Sequence, residues 1–110
     1  MITIGTPGSE DITIRNSVLR ATPSKSSWDK TIQINLGKNI KILNNRFEGG
    51  ERCVRFKPNT SGEMRGNTFN GCVTAIQASS NDADIQPMRH GPTVVTVKSN
   101  RYNGVQNRVR

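Results

Sequence analysis

Sixteen Lys and Arg, eight Asp and Glu and a single histidine set the chain's charge near neutral pH, and their spacing limits the chemistry open to them. Asp82 and Asp84 stand one residue apart in Ser79-Ser80-Asn81-Asp82-Ala83-Asp84, a separation from which two carboxylates can share a cation. Calcium takes about six to eight oxygen ligands, commonly with several carboxylates among them, so this segment is the acidic metal-site candidate. The competing reading is a solvated polar loop. Asp29 and Glu51 fall in neighbouring repeats and could approach one another. His90, in Pro87-Met88-Arg89-His90-Gly91-Pro92, has no second histidine to join it on zinc and reads as surface. There is no Gly-rich phosphate loop, no CxxC pair and no Ser/His/Asp grouping, so the first expectation is a protein without catalytic residues or cofactor.

The basic residues Lys30, Arg52 and Arg55 carry the alternative. Abstracting a proton beside a uronate carboxylate requires a base and a cation that stabilises the developing negative charge. The stretch from Asp29-Lys30-Thr31-Ile32-Gln33-Ile34-Asn35 through Ile40-Lys41-Ile42 and Asn44 to Arg52-Cys53-Val54-Arg55 resembles part of the family-3 pectate lyases. Those enzymes are right-handed parallel β-helices with a similar Asp-Lys-x-aliphatic-Gln-x-Asn strand followed by a basic-x-x-Arg. The resemblance implies that Asp29 lies near a calcium site, that Lys30, Arg52 and Arg55 lie near a catalytic basic cluster, and that the reaction is β-elimination on an acidic polysaccharide. It covers residues 29–55 only. The family's upstream acidic segment has no counterpart, Arg52 stands where lysine is usual, and the enzymes are longer, with a groove crossing more coils.

Whatever these side chains do, repeated elements must position them. Four segments align: Ile12, Ile14, Ser17, Leu19, Ala21; Ile40, Ile42, Asn45, Phe47, Gly49; Gly62, Met64, Asn67, Phe69, Gly71; and Val95, Val97, Asn100, Tyr102, Gly104. The aliphatic pair at period two is a short strand with one buried face. Asn or Ser follows where the chain must bend, since Asn bonds nearby backbone and tolerates the left-handed region, and stacked copies could form a ladder. A bulky residue then covers the core edge, and Gly or Ala permits a second turn. A second strand per repeat is read from Ile2 and Ile4, Ile32 and Ile34, Val54 and Phe56, and Ile76 and Ala78. The bulky anchors at 19, 47, 69 and 102 are 28, 22 and 33 residues apart, giving a coil of about 22 with insertions near 22–30 and 79–92.

This pattern, with no 3.6-residue periodicity, predicts an all-β, short, single-stranded, right-handed parallel β-helix of about four coils, as one domain over 1–110. The composition agrees, because 32% hydrophobic and 5% aromatic residues suit a thin stacked core. Cys53 and Cys72, in adjacent repeats, read first as small buried apolar side chains, with a disulfide as the alternative. The net charge of +8 points to an acidic partner, whether a protein surface or a glycan. One Trp and one Tyr leave little to stack on bases, which argues against nucleic acid. Trp28 reads as packed against its neighbouring coil, with a sugar platform, which Tyr102 could also provide, as the alternative. No apolar run nears the ~20 residues of a membrane span, and Met1-Ile2-Thr3-Ile4-Gly5-Thr6 has no signal-peptide pattern. The expectation is therefore a non-enzymatic structural or attachment module made in the cytoplasm, of the kind that resembles phage tailspike, fibre and virion decoration coils. Solenoid ends expose unpaired strand edges, so self-association, favoured as threefold, is expected with docking on a larger acidic assembly. The alternatives are a small calcium-dependent lyase, with Asp29, Asp82 and Asp84 as metal ligands, and a carbohydrate-binding module.

Overall fold

The computed structural model describes residues 2–6, 8–21, 30–78 and 93–110. Every regular element among them is a β-strand, and every pairing between strands is parallel. Numbered in chain order, β1 (Ile2–Ile4), β4 (Lys30–Ile34), β7 (Arg52–Phe56), β10 (Thr74–Ala78) and β13 (Asn107–Val109) form one sheet in that order. A second sheet holds β2 (Thr13–Arg15), β5 (Gly37–Leu43), β8 (Thr60–Arg65) and β11 (Val94–Lys98). The third holds β3 (Val18–Arg20), β6 (Arg46–Glu48), β9 (Thr68–Asn70) and β12 (Arg101–Asn103). The chain visits the three sheets in rotation, as a parallel β-solenoid does.

The sheets' registers are the rows of the core. Ile14, Ile42, Met64 and Val97 are successive partners, as are Leu19, Phe47, Phe69 and Tyr102. Ile2, Ile32, Val54, Ile76 and Val109 make a third row, and Ile4, Ile34, Phe56 and Ala78 a fourth. Middle members of each row are fully buried, while Ile12, Ile14, Leu19, Val95, Val97 and Tyr102 at the two ends pack on the core only in part. Full burial of such a side chain is worth about 1.5–3 kcal/mol, so the stability of the stack is concentrated in its middle.

Each repeat has three strands where two were expected. The bend after the aliphatic pair does not merely close a turn but starts a separate short strand that carries the bulky residue (β3, β6, β9, β12). The left-handed backbone at that bend falls one residue earlier than expected, on Asn16, Asn44, Gly66 and Ser99, with φ of 53°, 54°, 69° and 56°. Asn45, Asn67 and Asn100 are thereby free to turn their side chains inward. The expected turn glycines Gly49, Gly71 and Gly104 have φ of 71°, 75° and 62°. β13, a further copy of the second strand, has no aliphatic pair and went unread. Of the insertions expected at 22–30 and 79–92, Lys30 opens β4 and the remaining residues lie outside the described ones.

Gly62, the odd member of the aliphatic column, has a steric reason. A Cβ there would stand 2.2 Å from the Ile40 carbonyl oxygen and 2.7 Å from Cε1 of Phe56, whose buried ring occupies the space other rows give to an aliphatic side chain. Gly62→Ala is expected to destabilise by about 1–3 kcal/mol, since neither backbone nor a buried ring can yield cheaply. An unchanged urea midpoint would refute this assignment.

The cysteines correct the first reading of two separate thiols. Cys53, in β7, and Cys72, just before β10, are disulfide-bonded, with Cα atoms 6.0 Å apart. Parallel pairing of β7 with β10 brings the two positions within the span a disulfide requires.

Candidate functional site

Lys30 and Arg52 are register partners at the start of β4 and β7, and Thr74 and Asn107 continue their row. By strand alternation Arg52 has the same parity as the core residues Val54 and Phe56. Arg55 has the opposite parity and belongs to the row Thr3, Gln33, Arg55, Gln77. The fold therefore brings Lys30 and Arg52 together and puts Arg55 on the other face. Arg55 is also only 6% exposed, whereas a cation acting on a polymeric substrate must be reachable from solvent. Asp29, Asp82, Asp84, His90 and Trp28 lie outside the described residues. Glu51 stands before β7, where its carbonyl accepts the Thr74 N–H at 2.8 Å. Among the described residues no three of His, Cys, Asp and Glu gather closely enough to hold a metal ion.

A ladder of asparagines repeats inside the corner between the second and third sheets. The Ser17 N–H donates to Asn45 Oδ1 at 3.0 Å, the Asn45 N–H to Asn67 Oδ1 at 2.9 Å, and the Asn67 N–H to Asn100 Oδ1 at 2.9 Å. Each side-chain amide also donates to a strand carbonyl of the preceding repeat: Asn45 to Ile14, Asn67 to Ile42 and Asn100 to Met64, at 2.9, 2.9 and 3.0 Å. An asparagine at each rung supplies both a donor and an acceptor that the tight bend would otherwise leave unsatisfied. The ladder has a direction and ends at Asn100.

Beside it runs an aromatic file. Phe47 and Phe69 stack with centroids 4.8 Å apart, Phe69 and Tyr102 with centroids 5.5 Å apart, and Arg108 lies 5.2 Å from the Tyr102 centroid. Partial burial pushes the Tyr102 phenol above its ordinary pKa, against the opposing pull of its hydrogen bond with Asn100 and of the Arg108 charge. The neutral phenol is thus favoured by folding. Its contribution to stability is complete below the ordinary tyrosine pKa and is expected to drain as pH rises through the raised value. An alkaline denaturation series on Tyr102→Phe should lose that component.

Outside the core, cations dominate the last strands. Lys98, Arg101, Arg108 and Arg110 are exposed, and residues 93–110 contain no Asp or Glu. Elsewhere on the second and third sheets Arg65 lies 3.5 Å from Glu63, and Arg46 pairs with Glu48. A crevice of about 350 Å³ lies along the flank where the first sheet turns into the second, between Gly8, Ser9, Glu10, Leu36, Lys38 and Asn59. Its lysine is engaged, since Lys38 Nζ donates to Asn59 Oδ1 at 2.9 Å. The all-basic last edge was available to sequence reading from the spacing of 98, 101, 108 and 110, but it carries meaning only once these residues are known to share one end of a stack.

No protein-family model matches the chain, and no curated protein or solved structure shows significant similarity to it. The resemblance to pectate lyases rests on residues 29–55 themselves.

Proposed function

We propose that this protein is a non-enzymatic structural and attachment module, a short right-handed parallel β-helix of about four coils that works within a larger assembly. The observation that carries the proposal is the state of its two ends. β1, β2 and β3 at one end, and β11, β12 and β13 at the other, are edge strands backed by core residues that remain partly exposed. Parallel edges left unpaired among the described residues are templates for pairing with another chain. Self-association, with a trimer as the favoured order, and docking on an acidic protein surface both answer that need. A virion decoration or fibre-like role fits the same features. The Cys53–Cys72 bond favours a working location outside a reducing cytoplasm, as on a virion or cell surface.

Light scattering and native mass spectrometry on the purified protein test this reading. A discrete oligomer is expected, and a monomer that persists at high concentration would remove most of its support. The pectate-lyase-like alternative draws on the Lys30–Arg52 row. It requires calcium-dependent unsaturated product from polygalacturonate that disappears in Lys30→Ala/Arg52→Ala. Activity equal to that of the variant would eliminate it. A carbohydrate-binding role without catalysis would appear in the same samples as binding of the polymer without product.

A further inference from the structure

We infer that the last edge of the stack, formed by β11, β12 and β13, accepts an extended acidic strand segment of a different chain. A second copy of this protein stacked head to tail fits that edge less well, which leaves self-association to the first edge or the flanks. The inference rests on the attachment reading only in taking the protein to act against another macromolecule.

Continuing each row by one step shows what a partner strand would meet. In a head-to-tail stack the row Arg15, Leu43, Arg65, Lys98 would bring the next copy's Arg15 against Lys98, which already faces Arg65 on its other side, so three cations would stand in succession. Cross-strand neighbours stand about 5 Å apart, and like charges there are destabilising. The polar ladder would also break. Every rung after the first is an Asn amide, and the first is Ser17, whose shorter hydroxyl already spends its one donor on the Arg15 carbonyl at 3.0 Å. A second copy thus offers a cation where a carboxylate is wanted and serine where asparagine is wanted.

The edge itself specifies the better occupant. Lys98 at the end of β11 and Arg101 at the start of β12 are exposed, and no carboxylate among the described residues pairs with either. Val95, Val97 and Tyr102 present a partly buried apolar row, and Asn100 is the open end of the ladder. A complementary segment therefore has an aliphatic-x-aliphatic pair, a carboxylate facing Lys98, an Asn at the bend, a carboxylate facing Arg101 and an aromatic residue to extend the file beyond Tyr102. Main-chain pairing supplies adhesion and the charges supply selectivity, as in other strand additions.

A peptide copying residues 94–104, with Lys98→Glu and Arg101→Glu, is the probe, and the unaltered peptide is its control. Both can pair along the edge, but only the first places carboxylates opposite the cations. Fluorescence anisotropy at low salt should give about tenfold tighter binding of the glutamate peptide, from two contacts changed from repulsive to attractive. Amide protection should appear at Asn100, and the preference should shrink as salt rises. In the protein, Lys98→Ser/Arg101→Ser should reduce the preference to within about twofold, whereas Arg15→Ser at the other end should preserve it. Equal affinity for the two peptides, no binding of either, or loss of the preference in Arg15→Ser would each overturn the inference. Light scattering on the protein alone reports separately on self-association, so failure of one reading does not imply failure of the other.

Discussion

Asn67→Ala is expected to lower the unfolding free energy by about 4 kcal/mol, from two buried backbone groups stranded at about 1–3 kcal/mol each together with lost packing. Asn67 is fully buried. Its Oδ1 accepts from the Asn45 N–H, and its Nδ2 donates to the Ile42 carbonyl and to Asn100 Oδ1, the last at 3.0 Å. Truncation leaves the Asn45 N–H and the Ile42 carbonyl facing a small void that no apolar side chain can satisfy. Asn100→Ala is the internal comparison. It makes the same type of contacts, but its rung is only partly buried, and water can replace part of what is lost. A urea titration should give Asn67→Ala roughly twice the loss of Asn100→Ala. Equal losses would mean that the ladder acts as a set of surface bends and not as a buried network.

The second large effect belongs to the disulfide. Cys53 and Cys72 are 19 residues apart, and closing a loop of that length in the unfolded chain is worth about 3 kcal/mol in the chain-entropy treatment. Cys53→Ser/Cys72→Ser should lose about that amount, and a reductant should lower the thermal midpoint of the native protein while leaving the double variant unaffected. A reductant effect on both proteins, or on neither, would overturn the assignment. The magnitude is large for a chain of this size, because a domain of about 100 residues commonly has only 5–15 kcal/mol in total. A thin core gains much from one covalent tie.

These two features differ in how far they could be read beforehand. The asparagine positions were legible because each must serve the same bend in the same row, and a repeat exposes such a constraint as a column. Which face the side chains take was not legible, since it depends on the preceding residue adopting the left-handed conformation, and that residue varies among Asn16, Asn44, Gly66 and Ser99. The third sheet was missed for a related reason. Its strands are three residues long, so a single bulky residue such as Phe47 or Phe69 carries the whole inward face and shows no alternation. Gly62 is the weak member of its aliphatic column, and the reason, the ring of Phe56 six residues earlier filling the space, lies outside the column itself. The disulfide was undecidable from spacing, because parallel pairing, not chain distance, brings the sulfurs together. As for the candidate site, charge alone pointed to an acidic partner, but Lys30, Arg52 and Arg55 read as one cluster only until strand parity divided them.

The position of the Cys53–Cys72 bond also bears on how the stack assembles and comes apart. It joins β7 to the turn just before β10, and β7 lies at the centre of its five-stranded sheet, where burial is greatest. In a structure whose layers touch only their neighbours, order spreads outward from the most strongly tied layer and is lost inward from the rims. Native-state hydrogen exchange should therefore be slowest in β4, β7 and β10 and fastest in β1 to β3 and β11 to β13. The rims proposed to recruit other chains are then the first parts to open, and a partner bound at either rim would slow exchange progressively toward the covalently tied centre.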